Sequence, residues 1–345
     1  METFTQHPGF RALFAGRRLT LGLFFPIEAY SGDTPTMLDQ DRLALRAEAL
    51  GFTALWFRDV PLRDPSFGDV GQIYDPWVYL GHVAALTHQV ALVTGAIVLP
   101  LRHPLHVAKA AASVDRLSGG RFVLGVATGD RAAEALAFGV PVESRAARFR
   151  DHLGALRAAW TGQSAAFGQG NLDARGLELI PRPMAGDLPV LVVGRSQQSL
   201  DWIAANAQGF VTYPRPPALQ RQVLDGYRLA AEANGVAPHV AQSLYIDLLE
   251  RADAPPRPIH LGWALGREPL LELLETYRTI GIGHVVLNLK YGRRPAAEVV
   301  EELGAEVLPR LTGGPAVPLP VSPDGQNPEF EGTTDRSGGP APGPR

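Results

Sequence analysis

Residues 90–130, VALVTGAIVLPLRHPLHVAKAAASVDRLSGGRFVLGVATGD, decide the fold. They read as strand, loop, helix, tight turn and strand. Val90–Leu99 is aliphatic and β-branched almost without a polar break, as a strand buried on both faces should be. Pro104 suits the first turn of a helix, where a missing N–H costs nothing. Val107, Ala110, Val114 and Leu117 recur at helical spacing, and Ser118-Gly119-Gly120 stops the helix. Arg121–Ala127 is a second apolar strand. Two strands joined by one crossover helix form a βαβ unit, so the strands run parallel. In parallel α/β folds, chemistry gathers at the carboxyl ends of the strands.

The same rhythm runs along the chain. Leu19–Phe25, Thr53–Phe57, Pro189–Val193, Gly209–Tyr213, Ser243–Leu249 and His284–Leu289 are the other strand candidates. Helices alternate with them. One is capped by Thr36, one starts at Asp75-Pro76, one spans Ser144–Trp160 and one spans about Gln197–Asn206. Eight such pairs predict an α/β fold, a (β/α)8 TIM barrel over residues 1–311. The rhythm breaks at Thr161–Leu188 and Glu250–Glu268, which predicts insertions after strands 4 and 7 on the active face. Residues 312–345 hold eight prolines, seven glycines and one aromatic, and are expected to form a disordered Pro/Gly-rich tail.

Composition narrows the function. The chain has no cysteine, which excludes disulfides, thiolate catalysis and Cys-based zinc sites. A net charge of −3 without a basic block argues against a nucleic-acid partner. No apolar run approaches a membrane span and residues 1–20 lack a signal-type core, so a cytoplasmic protein is expected.

Candidate site residues lie where strands end. Gly194-Arg195-Ser196-Gln197 follows the fifth strand and could cradle a phosphate with free N–H groups and an arginine. It could equally be a plain helix cap with a solvated arginine. Thr128-Gly129-Asp130 sets a small hydroxyl and bare backbone against a flat ligand, or forms a simple turn. Arg58-Asp59 leaves the second strand with one side chain toward the mouth and one away, so a structural ion pair competes with a catalytic role. Arg102 and His103 leave the third strand; a histidine there could bind a carbonyl or relay a proton, or simply pack. His103-x-x-His106 has neither the spacing nor the glutamate of a zinc protease, and no Walker loop, GxSxG or GxGxxG is present. That leaves an organic cofactor to do the chemistry.

LVTGAIVLPLRHPLHVAKAAASVDRLSGGRFVLGVATGD, with GFTALWFRD, Ala147-Arg148-Phe149-Arg150 and PVLVVGRSQQSLDWIAANAQGFVTYPR in order, resembles the luciferase-like monooxygenase superfamily over about residues 19–311. The resemblance implies a cytoplasmic barrel, commonly a homodimer, that binds FMN or the deazaflavin F420. It implies a two-component monooxygenase: a separate flavin reductase supplies reduced FMN, and O2 oxygenates a small-molecule substrate. It places the phosphate at Gly194, Arg195, Ser196 and Gln197, and the ring system near Ile97, Thr128 and Gly129. Phe25, Arg58, Thr212 and Tyr213 would line the rest of the mouth, and Glu250–Glu268 would be a lid. Light-emitting members carry a histidine just after the second strand, where this chain reads Arg58-Asp59-Val60-Pro61, so no catalytic base carries over. Arg58 and His103 remain the candidates for binding substrate or assisting oxygenation. F420-dependent hydride transfer, a non-catalytic flavin binder, and a barrel aldolase or isomerase using Lys290 are the alternatives.

Overall fold

The computed structural model describes residues 2–16, 18–67, 74–162, 166–167, 170–171 and 176–311. The expected tail, 312–345, lies outside them. A short helix, α1 (Pro8–Phe14), precedes the first strand. The barrel strands are β1 (Thr20–Phe24), β2 (Ala54–Phe57), β3 (Ala91–Thr94), β4 (Phe122–Ala127), β5 (Val190–Val193), β6 (Gly209–Thr212), β7 (Val240–Leu248) and β8 (His284–Asn288). Each pairs in parallel with the next, and β8 pairs with both β7 and β1, so the eight-stranded ring is closed. Outside it lie α2 (Gln40–Leu50), α3 (Pro76–Leu86), α4 (Pro104–Leu117), α5 (Ala132–Ala137), α6 (Arg145–Thr161), α7 (Leu200–Asn206), α8 (Pro217–Ala233), α9 (Arg267–Thr279) and α10 (Ala296–Glu302). This is the (β/α)8 barrel that the sequence predicts.

Alternation along each strand sorts the core into two bodies. Phe24, Trp56, Val93, Val123, Leu191, Val211 and Val286 fill the barrel interior, and Phe10 and Leu13 of α1 join them. Phe25, Phe57, Leu92, Leu124, Val192 and Phe210 face the other way and bury the helices.

Four details differ from the sequence reading. Val90–Leu99 is not one strand: β3 ends at Thr94 and a short strand, Ile97–Val98, pairs separately with Val126 and Ala127. From Val93 to Ile97 the chain spends three residues where β4 spends two between Val123 and Val126, a β-bulge of one residue. Thr94 closes the gap, its hydroxyl donating to Gly125 O and accepting from Gly125 N, both at 2.8 Å. Bulging pushes Gly95-Ala96 inward over the core, where a Cβ at residue 95 would sit 2.7 Å from Trp56 and 3.0 Å from Phe24.

Thr36 does not cap α2. Its N–H and hydroxyl both go to the Glu28 carboxylate, and Asp39 occupies the cap position instead. Helix α7 begins at Leu200, not Gln197, with the Ser199 hydroxyl accepting from Trp202 N. Strand β7 starts three residues earlier than expected, at Val240.

A polar group sits inside the barrel. His284, on β8, stacks on Trp56, accepts its indole N–H at 3.0 Å and meets the Thr20 hydroxyl at 2.7 Å. Complete burial pulls its pKa down to about 3, so it is neutral in the folded protein at ordinary pH. An unfolded histidine takes up its proton near pH 6.5, so below that the unfolded chain binds more protons than the native one. Stability from this site is full above pH 6.5 and falls by about 1.4 kcal/mol per pH unit on acidification. Urea midpoints at pH 7.5 and 4.5 should therefore differ more for wild type than for His284→Gln. Equal acid losses in the two proteins would remove His284 as a source of acid lability.

Candidate active site at the carboxyl ends of the strands

Arg58 and Asp59 leave β2 in opposite directions, as alternation requires. Asp59 is buried and accepts from Val98 N at 3.0 Å and from Arg102 Nε and NH2 at 2.9 and 2.7 Å. Arg102 also reaches Asp75, whose carboxylate caps α3 by accepting from Trp77 N and Val78 N. The pair therefore ties the end of β2, the bulged end of β3 and the start of α3 into one rim. Breaking a buried pair strands a charge, which costs about 3 kcal/mol or more. Arg102→Ala should lower unfolding stability by about that amount, with the double variant Asp59→Asn, Arg102→Ala less destabilised than the sum of the single changes. Additive losses in a denaturant series would show that the two side chains act independently.

Arg58 turns to the mouth. Its guanidinium lies 5.9 Å over the Phe24 ring and 3.5 Å from the Tyr245 hydroxyl. Tyr245, where the pairing of β7 with β8 ends, meets Tyr291 at 5.1 Å and His260 at 6.0 Å, ring centre to ring centre. His260 comes from a hairpin, Arg257–Ile259 with Gly262–Leu265, whose second strand extends the sheet beside β7. This aromatic rim escapes a sequence reading because residues 58, 245, 260 and 291 meet only once the ring closes.

His103 is the N-cap of α4. Its Nδ1 accepts from Leu105 N at 3.3 Å and its ring stands edge-on to His106. Partial burial, then the charge of His106, hold it below the usual histidine range. Phe25 is fully buried against Phe57 and Tyr79, so Phe24 is the residue of β1 that faces the barrel interior. Ile97 is also fully buried, paired with Val126. Thr128 is buried, and the Gly129 carbonyl accepts from Arg145 NH1 at 2.9 Å.

Across the ring, β5 ends in a left-handed turn, with φ of +59° at Gly194, +47° at Ser196 and +57° at Gln197. Gly194 N donates to Val211 O at 2.8 Å, fastening the turn to β6, and the buried Ser196 hydroxyl donates to Val193 O. Arg195 and Gln197 are exposed. Arg215 was not singled out from sequence, although it stands at the end of the quoted YPR. Its NH1 donates to the Thr212 hydroxyl, the Tyr213 carbonyl and Gln220 Oε1. Burial, then the neighbouring Arg195 guanidinium, hold Arg215 below the usual arginine range. Two guanidiniums thus share one rim with Thr212 and Tyr213.

On the opposite rim, the loops after β1, β2 and β8 surround an open cavity of about 1040 Å3. Lys290, in the last of these loops, is only 3% exposed.

The geometry and the sequence agree with known proteins. Residues 19–253 match the model of the luciferase-like monooxygenase family, and the chain belongs to that family. It is 29% identical over 181 residues to 4-hydroxyprotoasukamycin monooxygenase of Streptomyces nodosus subsp. asukaensis, covering 51% of this chain and 47% of that protein. It is 30% identical over 259 residues to the F420-dependent hydroxymycolic acid dehydrogenase of Mycobacterium tuberculosis, covering 68% and 67%. The crystal structure of monooxygenase RslO1 from Streptomyces bottropensis shares the fold, with a TM-score of 0.70 at 21% identity over 84% of this chain and 99% of that one. No helix among the described residues is long and apolar enough to cross a membrane.

Proposed function

We propose that this protein is a reduced-FMN monooxygenase that takes its flavin from a separate reductase and uses O2 on a small organic substrate. The observation that carries the reading is the pairing of an apolar floor with a cationic rim at one end of a closed barrel. Gly95-Ala96 packs against Phe24 and Trp56 so closely that a Cβ at residue 95 would collide with both rings. Arg195 and Arg215 stand together beyond it, next to the Gly194 turn. A planar ring with an anionic tail fits a flat apolar seat that ends in two guanidiniums.

Bound FMN would supply the redox chemistry and the activation of O2. The residues of this chain would bind, orient and enclose. Arg195 and the N–H groups of the Gly194–Gln197 turn would hold the phosphate, with Arg215 as a second cation. The Thr128 hydroxyl and the bare backbone of Gly129 would edge the ring. Arg58, set beside the Tyr245 hydroxyl, would orient a substrate carbonyl over it. The hairpin carrying His260 would limit water at the mouth.

F420-dependent hydride transfer is the second reading, and one observation favours it. A longer anionic tail calls for more than one cation, and Arg215 beside Arg195 supplies a second. The named F420-dependent relative points the same way.

Calorimetric titration of the purified protein with FMN, anaerobically reduced FMN and F420 separates the readings. Reduced FMN should bind best, Arg195→Ala should weaken it at least tenfold, and oxygen should be consumed when a reductase is added. A clear preference for F420 without oxygen uptake would move the function to hydride transfer. Binding of neither would overturn both readings.

A further inference from the structure

Arg102, Arg131 and Arg294, buried or half-buried arginines after β3, β4 and β8, each meet a carboxylate, that of Asp59, Glu134 and Glu302. Arg215, also half-buried, does not. Among the described residues it is held by neutral oxygens, all of them on NH1: Thr212 Oγ1 at 2.8 Å, Tyr213 O at 2.9 Å and Gln220 Oε1 at 3.2 Å. Its other two nitrogens, Nε and NH2, make no hydrogen bond to the described residues. That pair is the edge of the guanidinium that takes two oxygens at once. Arg102 grips Asp59 with it, and Arg278 grips Glu275. A cation oriented by uncharged acceptors keeps its whole charge for a ligand.

Gln220, on α8, is completely buried, and its Nε2 donates at 2.7 Å to Oε1 of Gln242, a completely buried residue of β7. Gln242 and its register partner Thr212 lie on the helix side of the ring, because Val211 and Ala241 beside them face its interior. The polarity of the chain follows from Arg215. A guanidinium only donates, so Gln220 presents its oxygen to Arg215 and its nitrogen to Gln242, and Gln242 returns its oxygen. Reversing either amide sets like groups face to face. The far end, Gln242 Nε2, is buried without a hydrogen-bond partner among the described residues; the Tyr277 hydroxyl of α9 stands nearby but outside hydrogen-bond geometry. A leucine at residue 242 would avoid that cost. The pair leaves the core an unmet donor and gives Arg215 a fixed direction.

We propose that Gln220, locked by Gln242, is the positioning residue of the anionic-tail site. It holds Arg215 by NH1, leaves Nε and NH2 for two oxygens of a phosphate, and so sets the preference for a phosphorylated ligand over its neutral counterpart. Gln220 touches no ligand itself and acts through Arg215. A guanidinium already held in its binding direction loses less freedom when the anion arrives. The inference rests on the proposed cofactor reading in calling the anion the tail of a flavin.

The test titrates the full chain with three probes: FMN, riboflavin, which lacks the phosphate, and inorganic pyrophosphate, which lacks the ring. Wild type should prefer FMN to riboflavin. Arg215→Ala should cut that preference about tenfold and Gln220→Met about fivefold, and both should weaken pyrophosphate binding. The double variant should lose no more than Arg215→Ala alone, because Gln220 works through Arg215. Gln242→Met should move the ratio in the same direction, which keeps the inference open to test where Gln220→Met fails to fold. A glutamine that serves only the core would lower the urea midpoint and leave the FMN-to-riboflavin ratio at its wild-type value. That result, or additive losses in the double variant, would overturn the inference. Pyrophosphate binding that depends on Gln220, without binding of either flavin, would keep this inference and sink the FMN reading. Flavin binding with an unaltered ratio in Gln220→Met would do the opposite, and binding of no probe by wild type would overturn both.

Discussion

One hydroxyl holds the working end of this barrel in shape. Where β3 bulges, the ladder to β4 would open and leave Gly125 N and O buried without partners, a cost of about 1–3 kcal/mol for each group. Thr94 supplies both bonds from a single Oγ1, so the ring stays closed while the backbone of Gly95 and Ala96 swings inward. Everything at the mouth is built on the surface this creates. Phe24 and Trp56 lie beneath it, Arg58 lies over Phe24, and the short strand Ile97–Val98 resumes pairing in time for Asp59 to take the Val98 N–H.

That device shows why the fold was legible and its detail was not. Each barrel strand is a short apolar run between polar breaks, and closure needs only their number and their parallel order. The bulge leaves no mark on hydrophobic pattern, because Val90–Leu99 is apolar on both sides of it. Gly95 was its one signal, a residue without a side chain in the middle of a strand. Thr36 misled for a related reason. A threonine ahead of an amphipathic run reads as a cap, yet here Glu28, eight residues back, outcompetes the helix for its groups.

The site divides in the same way. Arg58 at the mouth and Arg195 in a turn after β5 were legible because each stands at the end of a recognisable strand. Asp59 pairing with Arg102 resolved an alternative that spacing alone had left open. The resemblance points to Phe25 at the mouth, yet Phe24 takes the inner face, and sequence alone does not fix which of two neighbouring phenylalanines does so. Arg58, Tyr245, His260 and Tyr291 are drawn together by ring closure across most of the chain, and no local pattern ties them.

Ring order also explains how the charges are arranged. In an eight-stranded ring, β1 and β5 stand opposite each other. Arg195 and Arg215 follow β5 and β6, whereas Arg58 and Lys290 follow β2 and β8, on either side of β1. The guanidiniums after β5 and β6 therefore face the Arg58 side of the mouth across the interior rings of Phe24 and Trp56.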